Sequence, residues 1–167
     1  MSTAFCYTDT TFGRLLLVGR AGMLSGLYVA DHDRAPHPLP DWDHDPAPFA
    51  TARSQLDEYF AGRRTTFDLS LHLEGTAFQV KVWSALADVP YGHTIGYAEL
   101  ARQIGRPSAA RAVGSANGCN PISIILPCHR VIGSDGSLTG YGWGTDRKAW
   151  LLDHEHTHLN SRLAPHT

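Results

Sequence analysis

The sequence predicts an α+β fold in two domains. Residues 1–75 form a small α/β unit, a three-stranded antiparallel sheet with one helix, and residues 76–167 form a mostly helical unit containing a helix-turn-helix. Three observations predict this. Apolar runs of strand length crowd the first thirty residues, the hydrophobic period lengthens from strand-like to helical at Thr76, and a Gly-Arg-Pro-Ser break interrupts a helical pattern at residues 105–108.

The apolar runs 14–18 and 24–29 are separated by Gly19, Arg20, Ala21 and Gly22, which is a hairpin signal. The following DHDRAPHPLPDWDHDPAP is proline-rich, charged and aperiodic, and reads as a surface connection. Residues 49–60 place Phe49, Ala52, Leu56, Tyr59 and Phe60 on one helical stripe that Gly62 ends. Residues 67–73, FDLSLHL, alternate strictly and are expected to be the third strand. Thr76 stands where it can cap AFQVKVWSALADV, in which Phe78, Val82, Leu86 and Val89 recur at helical spacing before Pro90, Tyr91 and Gly92 stop the helix. Two short helices follow, from about Tyr97 to Ile104 and from about Ala109 to Ala116.

With 167 residues, 43% of them hydrophobic, the chain can bury a real core. Its start has no basic run followed by an apolar stretch, and no window approaches the roughly 18 apolar residues of a membrane span, so a soluble intracellular protein is expected. Three cysteines, Cys6, Cys119 and Cys128, do not make a disulfide framework. Most of the ten histidines lie singly or in the polar loop and tail, and no Cys-x-x-Cys pair is present, so no metal site is expected. Net charge is −2, which argues against general polyanion binding, yet the charge is uneven. Residues 1–75 hold six Lys and Arg against ten Asp and Glu, whereas residues 76–167 hold eight against six. No acid occurs between Glu99 and Asp135, a window containing Arg102, Arg106, Arg111 and Arg130, and a basic face that meets phosphate is expected there.

Two features of this window point to chemistry. The second short helix carries Ala109, Ala110, Ala112, Gly114, Ser115 and Ala116, with Arg111 as its one long side chain. So smooth a helix either packs tightly on a neighbour or enters a nucleic-acid groove with Arg111 reaching between bases. The second feature is LPCHRVIG, residues 126–133, which sets Cys128 against His129 and Arg130. A thiol with a pKa of about 8.5 needs a nearby base or positive charge to react. Adjacent side chains of an extended segment point to opposite faces, so Cys128 and His129 can couple only through a turn or a bridging water; otherwise Cys128 is a plain buried thiol. Neither the papain nor the caspase signature surrounds Cys128, and Cys119, nine residues away, matches no thioredoxin-like motif.

PCHRVIG, preceded by NPISII and by ARAVGSANG and followed by LTGYGWGTDRKAWLLDHE, resembles the active-site region of the O6-alkylguanine-DNA alkyltransferases, the methylated-DNA–protein-cysteine methyltransferases. The resemblance runs from about Thr76 to Glu155, with a looser match in the N-terminal part. It implies that Cys128 is the alkyl acceptor, that His129 and Glu155 with a bound water relay a proton from the thiol, and that Asn120 supports the active-site turn. It further implies that Tyr97 donates to guanine N3, that Arg111 fills the place of the extruded nucleotide, and that Val131, Tyr141, Gly142 and Trp143 line the pocket. The DNA-facing surface so implied is Arg111, Ala110, Ala112, Gly114, Ser115 and Arg106, approaching double-stranded DNA of any sequence from the minor groove. The implied reaction is a single, irreversible transfer that needs no cofactor, made after base flipping, on O6-alkylguanine with O4-alkylthymine as an open second substrate. The protein is expected in the cytoplasm, on the nucleoid when bound, as a free monomer with cooperative assembly on DNA left open.

Three departures qualify the resemblance. Gly142 stands where some relatives carry serine. Trp143 stands where many carry glycine; it either narrows the pocket against bulky adducts such as benzyl or packs on the outer wall. Some relatives hold zinc in the N-terminal domain through two cysteines and two histidines, but only Cys6 lies there, so no such site is expected. Two other readings compete. A noncatalytic lesion binder would lack the acceptor cysteine, and a transcriptional regulator would want a recognition helix richer in side chains.

Overall fold

The computed structural model describes residues 2–33, 35–138 and 141–163, the last three by their backbone. The chain divides into two compact units, Met1–Glu74 with Pro121–Ser123, and Gly75–Asn120 with Ile124–Thr167.

The first unit is built on strands β1 (Thr3–Thr10), β2 (Gly13–Arg20), β3 (Met23–Val29) and the short β4 (Asp43–His44), in the order β3-β2-β1-β4. β2 lies inside the sheet, antiparallel to both long neighbours, and Leu15, Leu16, Leu17 and Val18 are all buried. A strand covered on both faces reads as a continuous apolar run, as this one does. Ala21 and Gly22 turn the β2–β3 hairpin with φ of 54° and 77°, the paired left-handed residues whose twist matches that of the strands. Helix α1 (Ala50–Phe60) follows a 3-10 turn, Ala47–Phe49, and buries Phe49, Ala52, Gln55, Leu56 and Tyr59 before Gly62 turns the chain at φ 77°. The expected stripe is therefore present, with Phe60 only half-buried and Gln55 in its place.

The third antiparallel strand is not residues 67–73. That place belongs to β1, and β4 adds a parallel edge, so the sheet has four strands rather than three. Residues 67–73 touch β3 at a single bridge, Leu24↔Leu71, with Leu24 N donating to Ser70 O and His72 N to Leu24 O, both at 2.9 Å. One turn of chain further back, the Gln55 amide takes the place of a strand: its Nε2 donates to Asp68 O (3.0 Å) and its Oε1 accepts from Asp68 N (2.9 Å). Alternation fixes which side chains face inward; it does not say that the backbone partner is another backbone.

The second unit opens with α2 (Ala77–Leu86), started by a reciprocal capping box. Thr76 Oγ1 accepts from Gln79 N at 3.1 Å and Gln79 Oε1 accepts from Thr76 N at 3.0 Å. Its buried face is Val82, Trp83 and Leu86; Phe78, expected there, is half-buried. β5 (Ile95–Gly96) runs directly into α3 (Tyr97–Gln103), and after a turn through Gly105 comes α4 (Ala110–Gly118). Trp83 Nε1 donates to Ala116 O at 2.8 Å and ties α2 to α4. A 3-10 turn, Cys128–Arg130, leads into β6 (Val131–Ile132), which pairs in parallel with β5. The unit closes with α5 (Thr145–Leu163), an element the hydrophobic pattern did not announce.

Candidate active site

Residues 122–131 are buried throughout, so every polar group there needs a partner within the protein. Ile124 holds φ at 75°, an unusual value for a β-branched residue, and its near-complete burial keeps it there. The chain then folds back on itself: Asn120 Nδ2 donates to Leu126 O at 2.7 Å, and Cys128 N donates to the same carbonyl at 2.7 Å. Cys128 opens the 3-10 turn, so the segment is not extended at Cys128 and His129. Asn117, on the last turn of α4, donates Nδ2 to Cys128 O at 3.2 Å. The two-residue β5–β6 ladder pairs Ile95 with Val131 and Gly96 with Ile132. Tyr97 follows one strand and the Cys128–Arg130 turn precedes the other, so the ladder sets their separation.

Glu155, from the middle of α5, gathers the turn. Its carboxylate meets His129 Nε2 at 2.6 Å, accepts from Arg130 Nε at 2.8 Å and Nη2 at 3.0 Å, and from Gly92 N at 3.3 Å. The remaining Arg130 donor, Nη1, reaches Val89 O at 2.7 Å. Gly92 is required at that place: its φ is 75°, and a Cβ would stand 2.4 Å from Leu159 Cδ2. Burial works against charge on Glu155, but His129 and the bidentate Arg130 outweigh it and hold the carboxyl well below the usual range. His129 is pushed below the ordinary histidine value, first by burial and then by Arg130 and Lys148, against the pull of Glu155. Arg130 already neutralises Glu155, so we take His129 as the neutral partner. A carboxylate can only accept, which places the imidazole proton on Nε2 and leaves Nδ1 as a bare lone pair. Nδ1 is buried and makes no hydrogen bond to the described residues.

Around Cys128 lie two tyrosines and a lysine. Half-buried Tyr97 has its hydroxyl pKa raised by burial and by the neighbouring Cys128, and lowered in part by the Asn117 side chain. Tyr141 is buried and raised further, for the first two reasons and by Glu155. Its ring meets that of buried Trp143 edge-on at 5.9 Å, with Gly142 half-buried between them. Lys148 is wholly buried; its Nζ donates to Val131 O and lies 5.9 Å and 6.0 Å from the ring centres of Tyr97 and Tyr141. Burial lowers its pKa to about 8, with Cys128 pulling the other way.

The expected four-arginine face needs correction. Arg130 is buried on Glu155, and Arg102 is paired with Glu99 along α3, which leaves Arg106 and Arg111 as the exposed pair without an ion pair among the described residues. Arg130 was placed on that face because the sequence window between Glu99 and Asp135 holds no acid; its acid comes from α5. On α4, Arg111, Ala112 and Ser115 are exposed and Ala110 half-buried, but Gly114 turns inward, a Cβ there lying 3.7 Å from the Tyr97 ring. Cys119 is exposed at the end of α4; Cys6 is buried and burial raises its pKa. His93 is exposed, whereas His154 and His158, four apart on α5, bring their rings to 4.3 Å, a His-x-x-x-His pair in the tail. Among the described residues no three His, Cys, Asp or Glu side chains converge as a metal site would require.

Asn117 and Lys148 are the site residues that sequence reasoning missed. Lys148 had no signal of its own in the sequence: it joins Leu151 and Glu155 in one buried stripe only once α5 is formed. Asn117 had none, because asparagine near a helix end also reads as an ordinary terminator.

Comparison with known proteins identifies relatives of the chain. Residues 77–157 match the family described as 6-O-methylguanine DNA methyltransferase, DNA binding domain, and residues 5–73 match its ribonuclease-like domain. A methylated-DNA–protein-cysteine methyltransferase of Mycolicibacterium paratuberculosis is 52% identical over 155 residues, 93% of each chain. The crystal structure of the Mycobacterium tuberculosis O6-methylguanine methyltransferase superposes with a TM-score of 0.87 at 47% identity, over 99% of this chain and 96% of that one. The same bacterium's protein in complex with DNA gives 0.86 at 49% identity, over 93% and 94% of the two chains. The chain belongs to the 6-O-methylguanine DNA methyltransferase family.

Proposed function

We propose that this protein is a methylated-DNA–protein-cysteine methyltransferase that repairs O6-alkylguanine in double-stranded DNA by moving the alkyl group irreversibly onto its own Cys128. The names of its relatives and the DNA complex of the M. tuberculosis protein support the substrate class. The observation that carries the chemistry is the placement of His129, one residue from Cys128, with Nε2 against Glu155 and Nδ1 without a hydrogen bond to the described residues. Through a bridging water, Nδ1 takes the Cys128 proton. The sulfur then attacks the alkyl carbon, the carbon–O6 bond breaks toward oxygen, Tyr97 delivers a proton at guanine N3 as the base leaves, and the proton taken up by His129 returns through water to the Tyr97 phenolate. Net, the thiol's proton goes to guanine and its sulfur keeps the alkyl group, and the thioether cannot revert, so each molecule acts once.

The target base is stacked inside the duplex and must be flipped out to reach a buried thiol. Arg111, exposed on the smooth face of α4, takes its place from the minor groove, while Ala110, Ala112 and Ser115 let the helix approach closely and Arg106 meets phosphate. No side chain caps the N-terminus of α4, so its amides are free for a phosphate oxygen. Binding of this kind is independent of sequence and weakens steeply with salt. The buried Trp143 against Tyr141 narrows the pocket and disfavours benzyl relative to methyl adducts. On this reading the protein acts on chromosomal DNA in the cytoplasm.

The test is single-turnover transfer from a duplex carrying one O6-methylguanine with a labelled methyl group. Label should saturate at one per protein on Cys128 and be absent from Cys128→Ala, which should still bind the duplex. Tight lesion binding without transfer by the unaltered protein would make it a noncatalytic lesion binder instead.

A further inference from the structure

The C-terminal half of α5 carries a pair of histidines that alkyl transfer does not use. His154 and His158 stand four residues apart, the spacing that brings side chains together on one helix face. Their ring centres lie 4.3 Å apart, with the planes tilted by 51°. His156, exposed and two residues from each, does not share that face.

Each ring of the pair is held in place. That of His154 lies flat on half-buried Trp150, one turn earlier, with ring centres 5.1 Å apart and an interplanar angle of 11°. His158 Nδ1 lies 2.7 Å from the carbonyl oxygen of His154. A carbonyl only accepts, so the proton of a neutral His158 sits on Nδ1 and its lone pair on Nε2. A ring N–H tied to a backbone carbonyl sets the tautomer and orientation of a histidine and raises the basicity of its other nitrogen, the arrangement that metal-ligating histidines use.

The spacing also suits an ion. Two imidazoles bound at about 2.0–2.1 Å in adjacent coordination positions bring their ring centres to roughly 4.5–5 Å, close to what α5 already provides. Both histidines are half-buried, so an ion can reach them and keep water in its other positions. Imidazole ligands select borderline divalent ions, copper(II) ahead of nickel(II) and zinc(II), over calcium and magnesium, which take oxygen.

We propose that His154 and His158 form a two-histidine site for a borderline divalent transition-metal ion, clipped across one turn of α5. The pair falls short of the three protein ligands of a catalytic centre, so its effect is on the helix rather than on the chemistry at Cys128. The two imidazoles meet only when α5 is formed, so an ion held by both favours the folded chain. The turn it spans includes Glu155, which gathers His129 and Arg130.

Zinc(II), which does not oxidise thiols, is the probe. It is titrated into the histidine-labelled protein and followed by nitrogen NMR and calorimetry. The His154 and His158 resonances, assigned by difference against the single variants, should move together and saturate at one ion per protein, with His156 unmoved. His154→Ala and His158→Ala should each weaken zinc binding about 10-fold or more. At about a hundredfold excess over Kd, zinc should raise the Tm of the unaltered protein by about 2–6 °C and that of neither variant. His156→Ala and Cys119→Ser, which alter exposed side chains, should bind zinc as the unaltered protein does. No saturable binding, an affinity kept in both His154→Ala and His158→Ala, or one lost in His156→Ala or Cys119→Ser would overturn the proposal. The NMR titration reads the unaltered protein residue by residue, so it stands whatever the variants do to folding.

Discussion

Each of the two units buries a carboxamide, and the surroundings treat them differently. Gln55 in the first unit has both ends closed by one residue, its Nε2 on Asp68 O and its Oε1 on Asp68 N. Asn117 in the second unit donates to Cys128 O and leaves Oδ1 buried without a hydrogen-bond partner among the described residues, as are His129 Nδ1 and Tyr141 Oη. Gln55, which only shapes the fold, is satisfied, and an open buried atom there would cost about 1–3 kcal/mol. Where chemistry is to be done, open atoms are what a substrate or a water can use. The surrounding structure must carry that cost, and around Cys128 it does so through Glu155, whose carboxylate collects four donors.

Breaking that closed hub is the strongest test of the contrast. Arg130→Ala leaves Glu155 buried without its main compensating charge and should destabilise the protein by about 3–5 kcal/mol in urea denaturation. A loss comparable to that of an exposed ion pair, under about 1 kcal/mol, would mean the hub does not support the site. Acid sharpens the same point. His129 and Glu155 both have native pKa values below their ordinary 6.5 and 4.5, so the native state binds fewer protons than the unfolded chain. Stability should therefore fall on acidification, beginning below 6.5 through His129 and continuing below 4.5 through Glu155. The transfer rate of the folded protein should hold through 6.5 and decline only lower, where His129 becomes charged. A rate limb centred at 6.5 or above would contradict the depressed value.

Smaller effects belong to the closed side of the comparison. Gln55→Ala exposes the need of the Asp68 backbone for a partner and should cost about 1–3 kcal/mol, with the transfer rate per folded molecule unchanged. A change in that rate would remove the distinction between the two carboxamides. Thr76→Ala opens the capping box of α2 and should cost about 1 kcal/mol by thermal or chemical denaturation, again without effect on transfer.

What was legible in the sequence follows the same division. The apolar runs of β2 and β3, the stripe of α1, the cap at Thr76 and the two short helices are local patterns, and the structure places them within a residue or two of expectation. Residues 67–73 misled because their alternation records burial, while their backbone is met by a glutamine amide and one bridge. β1 supplied the missing strand, although only Cys6 and Thr8 of its eight residues are buried and its apolar pattern is weak. The cysteine motif and its resemblance pointed to Cys128, His129 and Glu155, whose contact spans 26 residues and depends on α5. Arg130 misled for the same reason: its acid lies far away in sequence. Lys148 and Asn117 are visible only once α4, α5 and the β5–β6 ladder are assembled.

The account rests on a neutral His129 with its proton on Nε2 and an open Nδ1. Nitrogen NMR of the histidine-labelled protein near neutral pH, with His129 assigned by difference against His129→Asn, measures this directly. One protonated nitrogen, Nε2, and one bare nitrogen, Nδ1, is the predicted result. An imidazolium, or a proton on Nδ1, would leave no lone pair to receive the Cys128 proton and would contradict the mechanism.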